Sequence, residues 1–288
     1  MQVKKLINYL FAVLALSGCS KEEPYDLPVN QDAVIIDHST ISLASIPPDW
    51  IANARQGLHI AYSHTSHGSQ LTDGMTGLVS FMGTEYSWNN GGKNGALDLH
   101  DYAIPGDLGS PDLTAWAPET RTYLDQNPDV NVIIWSWCSQ VSDASSADID
   151  LYLDLMSDLE TDYPDVRFVY MTGHLDGTGL TGNLHLRNEQ IRTYCRDNNK
   201  ILYDFADIES YNPDGMYFGD KKANDACGYD SNDDGNLDGN WAIEWQNTHT
   251  EGVDWFVCGS EHTQPVNANM KAYAAWWLWA RLAGWEGI

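Results

Sequence analysis

The sequence predicts a three-layer α/β/α protein with a mainly parallel sheet, and two observations carry that expectation. Short apolar runs recur along the chain, and the segments between them place apolar residues at helical spacing. Parallel strands are buried on both faces and need long crossovers, so this alternation implies helices on both sides of one sheet. The predicted strands are Leu58-His59-Ile60-Ala61-Tyr62, Val130 to Trp135, Val166 to Met171 and Ile201 to Phe205. Between them, Asp148 to Leu159 sets Ile149, Tyr152, Leu153, Met156 and Leu159 on one helical face, after Ser145 and Ser146, whose hydroxyls suit an N-cap. Leu184 to Arg196 repeats the pattern with Leu186, Ile191 and Tyr194, and Ala268 to Leu282 forms a last, aromatic helix. No internal repeat or low-complexity linker interrupts residues 33–288, which are expected to form one domain.

One stretch breaks the alternation. Glu209 to Gly259 is rich in Gly, Asp and Asn without clear periodicity, and so long an excursion inside a compact domain needs something to order it. Within it, Asp230, Asn232, Asp234, Asn236 and Asp238 alternate around Gly235, as oxygen ligands do in the first nine places of an EF-hand-type loop. Hard oxygen donors select Ca²⁺, expected here as a structural ion. Trp241 stands where such loops carry a bidentate Glu, so another carboxylate such as Glu244 would complete the shell.

The N-terminus carries an address. Lys4 and Lys5 precede an apolar run from Leu6 to Leu16, too short to span a bilayer, followed by Leu16-Ser17-Gly18-Cys19. This segment resembles the signal peptide and lipobox of bacterial lipoproteins. It implies removal of residues 1–18, lipid on Cys19, and a polar tether over residues 19–32. The acidic pair Glu22-Glu23 after the cysteine is similar to the surface-export signal of Bacteroidetes lipoproteins, so display on the outer membrane is the expected location, with the lipid as sole membrane contact.

The formal net charge is −26, which repels phosphate backbones and argues against nucleic acid as a partner. Twelve Trp and 15 Tyr fill the core and are also what sugar-stacking surfaces use. Beyond Cys19 stand Cys138, Cys195, Cys227 and Cys258; in an exported chain they can pair, and a Cys227–Cys258 bridge across the acidic segment is expected.

Chemistry gathers after the first strand, in Ser63-His64-Thr65-Ser66-His67-Gly68. A serine in a small-residue turn at a strand's carboxyl end is where doubly wound enzymes place a nucleophile. His262 lies just before the last helix. This order resembles the SGNH (GDSL-like) hydrolases, in a divergent His-x-Ser-x-Gly form, across roughly residues 55 to 284. The resemblance implies a flavodoxin-like fold, no organic cofactor, and a serine esterase with Ser66 as nucleophile and His262 as base. Gly106, in Ile104-Pro105-Gly106-Asp107-Leu108, matches the oxyanion glycine. Two positions depart from the family pattern. Gln140 is only a chemical substitute for the oxyanion Asn, and Gly259 occupies the place of the acid, leaving Glu261, Asp254 or a backbone carbonyl to orient His262. His64, His67, His174 and Asp176 are candidate substrate contacts. The same histidines with His262 offer a zinc alternative. The expected substrate is an acyl ester, an acetyl ester above all, of extracellular carbohydrate; the competing expectation is a glycan-binding lipoprotein without catalysis.

Overall fold

Residues 32–110 and 112–287 are described in a computed structural model, so the predicted export signal, Cys19 and most of the tether lie outside the described residues. Seven strands form one sheet: β1 (Val34–Ile36), β2 (His59–Ser63), β3 (Trp88–Asn89), β4 (Leu97–Asp101), β5 (Val132–Trp135), β6 (Arg167–Met171) and β7 (Ile201–Tyr203). They lie in the order β1-β7-β6-β5-β2-β4-β3, and every neighbouring pair is parallel. The predicted strands match β2, β5, β6 and β7 to within two residues, except that the last ends at Tyr203, where Asp204 caps the short helix α7 (Phe205–Ile208).

Two helical layers cover this sheet. On one side, α1 (Pro48–Gly57) and α2 (Ser69–Met82) pack with α9 (Pro265–Leu282); on the other, α3 (Trp116–Gln126), α4 (Gln140–Asp143), α5 (Ser146–Asp162) and α6 (Asn183–Asp197) pack on one another. The α/β/α architecture expected from the alternation is therefore present. The α5 start is a capping box, with Ser145 Oγ accepting from the Asp148 amide and Asp148 accepting from the Ser145 amide. The tryptophans of the last helix are core: Trp276, Trp277 and Trp279 are at most 3% exposed.

Helix α2 escapes a reading by periodicity because Gly74 and Gly77 lower its helix propensity. Both are there for packing. A Cβ on Gly74 would lie 2.1 Å from the Ala268 carbonyl oxygen of α9, and one on Gly77 would lie 2.7 Å from the Phe256 ring. The close approach sets the N-terminal halves of α2 and α9 side by side.

The excursion from residue 209 to 259 has secondary structure of its own. It holds a two-stranded hairpin, β8 (Gly228–Tyr229) with β9 (Gly239–Asn240), and the helix α8 (Trp241–Thr248), which buries Trp241 and Trp245. The expected Cys227–Cys258 bridge is corrected: Cys138, Cys195, Cys227 and Cys258 are all free. Cys227 Sγ instead meets Thr263 Oγ1 at 3.3 Å, and Cys258 Sγ accepts from Asn269 Nδ2 at 3.4 Å, so each thiol faces its own partner.

Candidate active site

In chain order, the central strands β4-β2-β5-β6-β7 run second, first, third, fourth and fifth, so the strand order reverses between β2 and β5. Ligands of doubly wound proteins bind outside the carboxyl ends of the strands at such a reversal. Two loops converge there. The first leaves β2 as Ser63 to Gly68 and enters α2; the second is Ser260 to Gln264, which enters α9.

The first loop is tight. A Cβ on Gly68 would lie 2.3 Å from His64 Cβ and 2.7 Å from the Tyr62 hydroxyl, so only glycine lets the chain double back here. Tyr62 then donates to the Gly68 carbonyl at 2.8 Å, and Ser63 Oγ accepts from the Ile104 amide, tying the β4 loop to β2. In the second loop His262 has φ of 64°, left-handed for a residue with a Cβ, a conformation that costs about 1–3 kcal/mol and persists only where its surroundings hold it. Gln70 holds it from α2, donating through Nε2 to the Glu261 carbonyl at 2.6 Å.

With α2 and α9 in contact, the two loops meet. Ser66 Oγ and His262 Nε2 lie 2.9 Å apart, within reach for proton transfer from hydroxyl to imidazole. Gly106 (φ 118°) is exposed in the loop that follows β4.

The remaining predicted residues are placed less simply. Glu261 Oε1 lies 3.8 Å from His262 Nε2, the nitrogen that faces Ser66, so it does not orient the ring from the far side. At Gly259 a Cβ would lie 2.6 Å from the Asp73 carboxyl, so the space for an acid three residues before His262 is already filled by a carboxylate from α2. Burial raises the Asp73 carboxyl above its ordinary range. Gln140 is engaged, donating to Asp107 Oδ2 at 2.6 Å and accepting from the Cys138 amide at 3.0 Å. Burial raises Asp107 as well, against the lowering effect of the Gln140 bond. His64 is turned away and buried, its Nε2 on Asp101 Oδ1 at 2.8 Å. Asp176 caps its own turn by accepting from Thr178.

His67 and His174 do reach the site. His67 stacks on His262 with ring centroids 4.4 Å apart and on His174 at 3.7 Å, the latter two rings within 3° of parallel. His67 Nε2 meets Asp225 Oδ2 at 3.0 Å and its Nδ1 meets Cys138 Sγ at 3.2 Å. Asp225 and Cys138 were not legible as site residues: Asp225 lies in the irregular excursion, 158 residues from His67. Ligand atoms of His67, His174 and Asp225 fall within 4.8 Å of one another, a spacing that suits an ion. An imidazole coordinates through a lone pair in its own plane, however, and two stacked parallel rings share no in-plane point, so the arrangement does not suit zinc as it stands.

A buried polar network supports both loops. Lys271, fully buried in α9, pairs its Nζ with Glu209 Oε2 at 2.8 Å and contacts Gln70 Oε1, while Glu209 Oε1 accepts from the Leu175 amide beside His174. Burial pushes the Lys271 amine below its ordinary value, with Glu209 opposing.

The predicted calcium ligands make hydrogen bonds within their own loop and to Lys222. Asp230 accepts from the Asp234 and Gly235 amides and from Lys222 Nζ at 3.2 Å, and Lys222 also reaches Asp233 at 2.8 Å. Asp234 accepts from Asn236, and Asp238 from Ser231 and Asn232. A cavity of about 190 Å³ borders the His174 turn through Leu175 and Asp176, lined also by Arg192, Tyr211 and Tyr217.

No family model, curated protein or solved structure matches this chain.

Proposed function

We propose that this protein is a serine esterase that removes acyl groups, acetyl above all, from extracellular carbohydrate, in the manner of the SGNH hydrolases its sequence resembles. The observation that carries the proposal is the 2.9 Å contact between Ser66 Oγ and His262 Nε2 at the reversal point of the sheet. In this reading His262 takes the Ser66 proton as the oxygen attacks the ester carbonyl. The Ser66 and Gly106 amides face the developing oxyanion, where each donor is worth about 2.7–4 kcal/mol. His262 then protonates the leaving alcohol, and water releases the acyl group by the same steps in reverse.

The carbohydrate half draws on the cavity beside the His174 turn, which Asp176, Tyr211 and Tyr217 line. A lipid on Cys19 would hold the enzyme at the outer surface, where such polymers are within reach. Calcium has a structural place in this proposal: an ion bound by Asp230, Asn232, Asp234, Asn236 and Asp238 would take over the charge that Lys222 now supplies.

Hydrolysis of p-nitrophenyl acetate tests the proposal. The parent protein is expected to turn over, and Ser66→Ala and His262→Ala are each expected to lose about 10³-fold or more in kcat. A parent protein without turnover would leave the non-catalytic glycan-binding reading in its place.

A further inference from the structure

The Ser66–His262 pair leaves unexplained why a second imidazole, His67, is held so firmly beside it. His67 is 7% exposed and bonded at both nitrogens. A carboxylate only accepts, so the nitrogen facing Asp225 Oδ2 carries the hydrogen and Nε2 is the donor. The other nitrogen, Nδ1, then faces Cys138 Sγ at 3.2 Å either with a free lone pair, accepting from a thiol, or protonated, facing a thiolate. In both states the imidazole is the base of that sulfur. Cys138 lies in the turn after β5, at the reversal point, and is only half-buried. Nucleophile, base and orienting carboxylate thus follow one another in hydrogen-bond contact, the relation by which nucleophilic triads are recognised on unrelated folds.

We propose that Cys138, His67 and Asp225 form a second nucleophilic triad beside Ser66, one that takes an acyl group from an ester as a thioester. The Cys138 proton passes to His67 Nδ1 as the sulfur attacks the carbonyl carbon. A C–S bond forms, the C–O bond to the leaving alcohol breaks, and the alcohol takes the proton from His67. In the second half, water gives a proton to His67 Nδ1 and attacks the thioester; the C–S bond breaks and the proton returns to sulfur. The inference borrows the acyl-ester substrate class from the proposed function and nothing from Ser66. Asp225 is a positioning residue: its bonds to His67 and to the Ala226 amide hold the ring with Nδ1 toward Cys138. The surroundings support this assignment, since the His67 bond helps hold the Asp225 carboxyl below the usual range against the raising effect of burial.

Two readouts on the full chain test the triad. Limited alkylation with iodoacetamide near pH 7, read by peptide mass spectrometry, compares Cys138 with Cys258, which is also half-buried but whose thiol burial pushes up to about 12. Cys138 is expected to react at least about tenfold faster, and Asp225→Asn or His67→Gln to remove most of that advantage. Equal rates at the two cysteines, which need no variant to measure, would overturn the triad. The second readout treats Ser66→Ala with p-nitrophenyl acetate and quenches it in acid within the first turnover: an acetyl group on Cys138 that neutral hydroxylamine removes supports the triad, and an unmodified Cys138 in a protein that also shows no turnover counts against it. The two proposals fail separately. An inert Cys138 with turnover lost in Ser66→Ala removes the cysteine triad alone, whereas an acetylated Cys138 with turnover unchanged in Ser66→Ala removes the serine reading alone.

Discussion

Ser66 and His262, 196 residues apart in the chain, meet at 2.9 Å because each stands just ahead of a helix and those two helices touch. Ser66 precedes α2, His262 precedes α9, and Gly74 lets their N-terminal halves approach until a single methyl group would collide with the Ala268 carbonyl. The Ser66–His262 contact is therefore set by helix packing rather than by the loops alone.

Gly74→Ala is the direct probe of that contact. The added methyl must push α2 from α9, an overpacking cost of about 1–3 kcal/mol, and the displacement is transmitted to the Ser66–His262 distance. Thermal unfolding is expected to show a lower Tm, and ester turnover to fall by more than the unfolded fraction accounts for. An unchanged Tm would mean that the helices are not in contact at this point.

Glu261 lies on the Ser66 side of the imidazole and is largely exposed. Removing an orienting acid from a triad costs about 10⁴-fold in kcat, whereas Glu261→Gln is expected to change it by less than about threefold. A loss on the larger scale would mean that the His262 loop turns its ring over before reaction.

Lys271 and Glu209 are each without exposed side-chain surface, and both bond to neighbours that shape the site. Lys271→Met leaves Glu209 buried without its cation, at a cost of about 3–5 kcal/mol. Denaturant unfolding is expected to show that loss, and Lys271→Met with Glu209→Gln to recover a large part of it. No recovery in the double variant would argue that the pair is not coupled.

Acid stability follows from Asp225. Its carboxyl in the folded protein lies below its ordinary value of about 3.9, so the stabilisation is complete above that value and is lost as pH falls through the lower, folded one. The Asp225→Asn protein is expected to lose stability at neutral pH and to show a shallower decline below about pH 4 than the parent does. Parallel acid limbs in a pH series of unfolding midpoints would contradict this.

Calcium uptake at the acidic loop requires Lys222 to release Asp230. Adding Ca²⁺ is expected to raise Tm, and more so in Lys222→Ala, where the competing ammonium is gone; chelation reverses both shifts. A Tm insensitive to calcium in both proteins would leave Lys222 as the loop's cation.

Much of the frame was legible in the sequence, for reasons that are local. The runs at Ile133, Val169 and Leu202 read as buried strands because parallel strands are apolar on both faces, and Ser145 announced a helix start because an N-cap is a short-range contact. Helix α2 was hidden because its glycines answer to a partner helix, and β4 because Leu97-Asp98-Leu99-His100-Asp101 is short and polar on alternate positions. Ser66 and His262 were found through chain order and small-residue turns, both written along the chain. The tertiary structure alone decided what surrounds them: that Asp73 fills the space beside Gly259, that Lys222 answers Asp230, that Cys227 and Cys258 stay apart, and that Cys138 and Asp225 close on His67. Those are distances between side chains carried by different elements, and no periodicity records which loops will meet once the sheet has ordered its strands.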